Sequence, residues 1–115
     1  STREKGIEPH YSQKSFSISD RRNKWQLLVS NDERENSAKI YQDAFISRAQ
    51  LDENSEIDYS FFNQENLGYL FLISGRVRLN NDDLNQRDAA IIEAGDGISI
   101  KAQKDSDLLF IEVPR

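Results

Sequence analysis

Short apolar segments punctuated by turn residues recur about every 8–12 residues from Trp25 to the C-terminus, and none repeats with the 3.6-residue period of a helix. Trp25, Leu27 and Val29 alternate with Gln26, Leu28 and Ser30, and Ile57, Tyr59 and Phe61 alternate with Asp58, Ser60 and Phe62. Successive strand side chains point to opposite faces, so this period of two fits strands with one buried face. Residues 38–51 read as two short strands joined near Asp43. Tyr69-Leu70-Phe71-Leu72-Ile73 is continuously apolar, as expected of a strand covered on both faces. Ser74-Gly75 interrupts it, and Val77 and Leu79 resume the alternation. Asn80-Asn81-Asp82-Asp83 reads as a turn, because Asn and Asp tolerate left-handed backbone angles. Further strands are expected at Ile91-Ile92, Ile98 to Ile100 and Leu108 to Val113. Gly95-Asp96-Gly97 is expected to be a hairpin turn between two of them. The pattern predicts an all-β sandwich or barrel.

The 115 residues suit one domain with its own core. Residues 1–24 lack apolar periodicity and read as a connector, leaving 25–115 for the barrel. That leader carries Arg3, Lys5, Lys14, Arg21, Arg22 and Lys24 against Glu4, Glu8 and Asp20. The whole chain nevertheless has a net charge of -5, so its body is acidic. An acidic body argues against a nucleic-acid partner. No apolar run is long enough for a membrane helix, and cysteine is absent, which fits a reducing, cytoplasmic setting. Methionine is also absent and the first residue is Ser1, so a piece of a longer protein is expected.

Little in the sequence carries chemistry. His10 is the only histidine, and it lies in the leader. One histidine cannot build a three-histidine metal site or be brought readily to a serine nucleophile. Asp82-Asp83 and Asp105-Ser106-Asp107 cluster acids, but acids at such places are ordinarily turn formers. Glu93 and Glu112 stand among apolar residues, and alternation is expected to turn both outward. Gly95-Asp96-Gly97 is too short for a phosphate cradle and precedes no helix. Aromatic residues fall on strands at core spacing, so packing explains them.

Several segments resemble the C-terminal cupin domain of pirin-like, quercetinase-type two-cupin proteins. Gly6-Ile7-Glu8-Pro9-His10-Tyr11-Ser12-Gln13-Lys14-Ser15-Phe16 is similar to the stretch that links the two barrels of that family. Trp25 to Ser30 resembles the first strand of the second barrel. Gly68 to Asn80 resembles its central hairpin, and Asp107 to Pro114 its last strand. The resemblance implies a cupin-type jelly-roll β-barrel. Aligned on Gly75, the first metal motif of cupins places a glutamate at Gly68. Its two histidines fall at Phe61 and Asn63, or at Phe62 and Gln64. Aligned on Arg87, the second motif places its proline at Glu93 and its histidine at Ile98. None of these positions carries the ligand. The resemblance therefore implies no cofactor in this chain and a metal, iron or similar, in an N-terminal cupin of the same protein.

The expected role is structural support for that barrel, with Ile7, Pro9, Tyr11 and Phe16 as interdomain contacts. Two other readings stay open. The chain is part of a quercetin 2,3-dioxygenase whose site lies in the other half, or it is a small-molecule or protein-binding module. Without its partner barrel, the fragment is expected to find a substitute surface, such as a second copy.

Overall fold

The computed structural model describes residues 14–115. The ten strands are β1 (Gln26–Ser30), β2 (Ala38–Lys39), β3 (Phe45–Leu51), β4 (Glu56–Asp58), β5 (Leu67–Ser74), β6 (Arg76–Leu79), β7 (Asp82–Asn85), β8 (Ala89–Glu93), β9 (Ser99–Ala102) and β10 (Ser106–Val113). Single 3-10 turns occupy Ile18–Arg21, Arg34–Asn36 and Ala94–Asp96. The strands form a six-stranded sheet, ordered β2-β1-β3-β10-β5-β8, and a four-stranded sheet, ordered β4-β9-β6-β7. Every strand pair is antiparallel except β1 with β2. This is the all-β architecture the spacing predicts and the jelly roll the resemblance implies. Among the described residues no helix is long and apolar enough to cross a membrane.

The core lies between the sheets. Ala49, Leu51, Leu70, Leu72, Leu108 and Phe110 of the larger sheet meet Val77, Leu79, Leu84, Ile100 and Ala102 of the smaller. These residues sit at every second position of their strands, so the period of two does produce the inner face. The continuous run in β5 behaves differently from expectation. Leu70 and Leu72 are buried, but Tyr69 and Phe71 are only half-buried and Ile73 is exposed. Among the described residues nothing covers the second face of this strand.

Gly95-Asp96-Gly97 is not a hairpin turn. It carries the chain from β8 in one sheet to β9 in the other, through the turn at Ala94–Asp96 and a left-handed Gly97. The stretch from Gly68 to Asn80 likewise spans two sheets, β5 and β6, instead of forming one hairpin. The true hairpin is β6–β7, closed by Asn80-Asn81 with Asn80 at a positive φ. Asp82 and Asp83, read as turn residues, begin β7.

Before β1, the turn at Ile18–Arg21 packs on β3, and Arg22 forms an isolated parallel bridge to Gln50. Arg21 is buried and donates to Gln26 Oε1. Asn23 and Arg22 both donate side-chain hydrogen bonds to Asp52, so residues 18–23 are laid along the larger sheet.

Gly75 makes the crossing from β5 to β6 possible. Its φ is +100°, and a Cβ there would lie 2.2 Å from Ser106 Oγ and 2.5 Å from the Asp105 carbonyl oxygen. Gly75→Ala is expected to destabilise the chain by about 2 kcal/mol or more, combining a left-handed backbone cost of about 1–2 kcal/mol with a backbone displacement. A urea transition that kept its midpoint and slope would contradict this.

Candidate functional site

The end of the barrel where a cupin would hold its metal is packed with rings. Tyr59 stacks on Phe110, with centroids 3.7 Å apart. Phe61 meets both edge-on, at 5.4 and 5.8 Å, and Trp25 closes the cluster edge-on to Tyr59 and Phe110. The edge-to-face pairs are a favoured geometry of aromatic quadrupoles, and the Tyr59–Phe110 stack is closer than the usual range. Gly68 gives the rings their seat. A Cβ at this position would lie 2.3 Å from Phe110 Cζ and 2.9 Å from Phe61 Cζ. No side chain can be accommodated at position 68 unless the rings move.

The aligned ligand positions are thus spread over different roles. Phe61 and Ile98 are buried apolar residues of the core. Phe62 is half-buried and stacks on Phe45 at 4.3 Å. Asn63 and Gln64 are exposed. These residues do not fit a metal: they converge no donors, and the space is occupied by ring carbons. Among the described residues no three His, Cys, Asp or Glu side chains come together. His10 lies outside the described residues.

Glu112 corrects the sequence reading. Its side chain points inward from the C-terminal end of β10 and is fully buried. Oε1 accepts from the Tyr59 hydroxyl at 2.7 Å and the Phe62 amide at 3.0 Å. Oε2 accepts from the Asn63 amide at 3.0 Å and from Asn66 Nδ2 at 2.8 Å. Four donors face the two oxygens, an arrangement suited to the acceptor-only carboxylate. Burial, and then the bond to Glu112, pushes the Tyr59 phenol above its usual range, so it stays a donor. The loop from Tyr59 to Asn66, which would present the first-motif ligands, is instead fastened to the barrel by one carboxylate.

The neighbouring cation is Arg34. Its guanidinium lies 5.0 Å from the centre of Phe45 and 5.2 Å from that of Phe62, over the stacked pair. Hydrogen bonds to Asp32 hold it protonated above the usual guanidinium value, with lesser help from the charges of Glu35 and Glu112. The same bonds hold Asp32 well below the usual carboxylate range.

The other sequence candidates serve as structure. Glu93 is exposed, as expected, and pairs with Arg115. Asp107 pairs with Arg48, Asp105 accepts from the Glu53 amide, and Asp83 lies near Arg78. Phe16 is half-buried and borders a depression of ≈ 410 Å³ with Trp25 and Leu27. Ile7, Pro9 and Tyr11 lie outside the described residues. Beside that depression, a half-open pocket of ≈ 390 Å³ is lined by Trp25, Ser47, Tyr59, Phe62 and Glu35 among others.

Residues 27–113 match the family described as the quercetinase C-terminal cupin domain. The chain belongs to that family. Among relatives of this quercetinase-type cupin, the quercetin 2,3-dioxygenase of Escherichia coli (strain K12) is 28% identical over 111 residues, covering 96% of this chain and 46% of the relative. The bacterial pirin YhhW of Escherichia coli, solved in complex with nickel(II), superposes with a TM-score of 0.78 at 28% identity, over 97% of this chain and 47% of that one. An RmlC-like cupin protein from Desulfovibrio desulfuricans, 12% identical with a TM-score of 0.60, shares the fold over 94% of this chain and 97% of its own. The chain spans about half the length of the curated relatives it matches.

Its apolar neighbours mark Glu112 in the sequence, but the face it occupies is the reverse of the one hydrophobicity suggests. Asn66 and Arg34 gave no signal, because their partners are remote in sequence. Glu112→Gln tests the clamp. Either orientation of the amide turns its NH₂ toward two donors, and leaving buried donors unpaired costs about 1–3 kcal/mol each. The expected loss is about 2–4 kcal/mol by urea unfolding. A change within about 0.5 kcal/mol, the range of ordinary surface substitutions, would exclude a structural clamp.

Proposed function

We propose that this chain is the non-catalytic, metal-free C-terminal cupin of a pirin-like, two-barrel protein, and that it supports a metal-bearing N-terminal cupin. One observation carries the reading: the seat at Gly68 is filled by Phe110 and Phe61. The fold is retained where its chemistry would sit, and the carboxylate nearest that place, Glu112, is spent on fastening a loop. The coverage of about half the length of the relatives supports the two-barrel arrangement. Within this reading, residues 1–24 connect the barrels, Ile7, Pro9, Tyr11 and Phe16 contact the N-terminal one, and the protein is cytoplasmic. The parent would oxidise a flavonol such as quercetin at a metal held in its other half, as the name of the Escherichia coli relative implies.

A second reading has its own support. The half-open pocket of ≈ 390 Å³ beside Trp25, Tyr59 and Phe62 is large enough for a small ligand, which favours a binding module.

Elemental analysis of the dialysed chain distinguishes the main reading from a metalloenzyme. Iron, nickel, copper and zinc are each expected far below stoichiometry, and the chain alone is expected not to turn over quercetin. Stoichiometric metal together with chelator-sensitive oxidation of quercetin by the isolated chain would overturn it.

A further inference from the structure

The half-open pocket of ≈ 390 Å³ combines aromatic walls with negative charge. Four rings line it, Trp25, Tyr59, Phe61 and Phe62, and so do two acidic residues, Glu35 and Asp58. None of its lining residues is basic. The two ring donors are already committed. Trp25 Nε1 donates to the Asp58 backbone carbonyl at 2.9 Å, and the Tyr59 hydroxyl donates to Glu112 at 2.7 Å. What the pocket still offers through its side chains is carboxylate oxygen, serine hydroxyl and aromatic surface. Among the described residues neither Glu35 nor Asp58 forms an ion pair. Two nearby cations are engaged elsewhere: Arg34, beside Phe62, pairs with Asp32, and Lys14 reaches the Asn36 carbonyl oxygen. The charge of Glu35 acts into the pocket: after burial and Glu112, it adds to the upward shift of the Tyr59 phenol.

We propose that this pocket binds a small organic cation of the quaternary ammonium class, with its head against the four rings and its charge balanced by Glu35 and Asp58. The proposal rests on the binding-module reading above and names the ligand class. The face of an aromatic ring is negative, and it attracts a cation held within about 6 Å of its centre. A quaternary ammonium head has no N–H to satisfy, so it needs no cage of acceptors, and its methyl groups suit an apolar wall. Other ligand classes fit less well. A small hard metal ion requires several converging oxygens, and among the described residues no three acidic side chains come together. An anion would face two carboxylates with no basic group to receive it. A neutral ligand could use the rings, but covering the carboxylates would cost their hydration without return. The volume lies near the lower end of the range of about 300–1,000 Å³ for ligand pockets, which suits a small molecule.

Trp25 is the only tryptophan in the sequence, so its fluorescence reads the pocket directly. The chain is titrated with choline and, separately, with the neutral analogue that has carbon in place of the quaternary nitrogen. Choline is expected to change the emission saturably and to bind at least about tenfold more tightly than the analogue. Removing both charges, Glu35→Gln together with Asp58→Asn, is expected to weaken choline at least about fivefold and to leave the analogue within about twofold. Asp58→Asn keeps the bond from Trp25, which runs to the backbone carbonyl. Equal affinities for choline and the analogue overturn the proposal and leave the binding-module reading standing. A preference for choline that survives the double substitution undiminished places the cation elsewhere and also overturns the proposal. No saturable response to either compound overturns the proposal and the binding-module reading together.

Discussion

The carboxylate of Glu112 organises one end of this barrel. Placed on the central strand β10, it reaches two backbone amides, a phenol and a carboxamide, all contributed by the segment from Tyr59 to Asn66. That segment has little regular structure: apart from the Tyr59 amide, which reaches the Ile98 carbonyl, its one backbone–backbone bond joins Asn66 to Asn63. Without Glu112 the amides of Phe62 and Asn63 would have no strand to satisfy them, and buried amides must be satisfied. Fastening the segment also sets Tyr59 on Phe110 and brings Phe61 to Gly68. The aromatic cluster thus depends on a polar anchor, as apolar packing alone is poorly directional.

Alternation along β10 was legible: Ile111 and Val113 share one face and Glu112 the other. Which face is inside was not legible. Hydrophobicity alone put Ile111 inward and Glu112 outward, and the structure has them the other way round. The same ambiguity affects β5, where every residue from Tyr69 to Ile73 is apolar although only alternate ones are buried. A period of two defines two faces; it cannot rank them when the outer face is itself built of isoleucine, leucine and aromatic side chains.

The frame of the candidate site was readable for a related reason. Gly75 is required by backbone geometry and contact, so its place in the chain does not depend on the chemistry that surrounds it. Strand order was less accessible. Both the Ser74-Gly75 break and the Gly95-Asp96-Gly97 break look like hairpin turns, yet each passes between sheets. Local turn chemistry fixes a reversal or a bend, whereas the choice of sheet is made by distant pairing, such as β9 with β4 and β6. Arg34 over Phe45 and Phe62 is similar, a contact made by tertiary proximity with no counterpart in spacing.

The occupied seat at Gly68 has an evolutionary corollary. Placing a carboxylate at that position would drive its first side-chain carbon into Phe110 and Phe61 before any metal could offset the intrusion. Shrinking Phe110 first would open a void beneath Tyr59 and loosen the stack. Either single step passes through a less stable protein, so drift alone has no easy route to a carboxylate there. Packing acts as a ratchet: the surface of the barrel is free to diversify, while its interior resists any side chain at position 68.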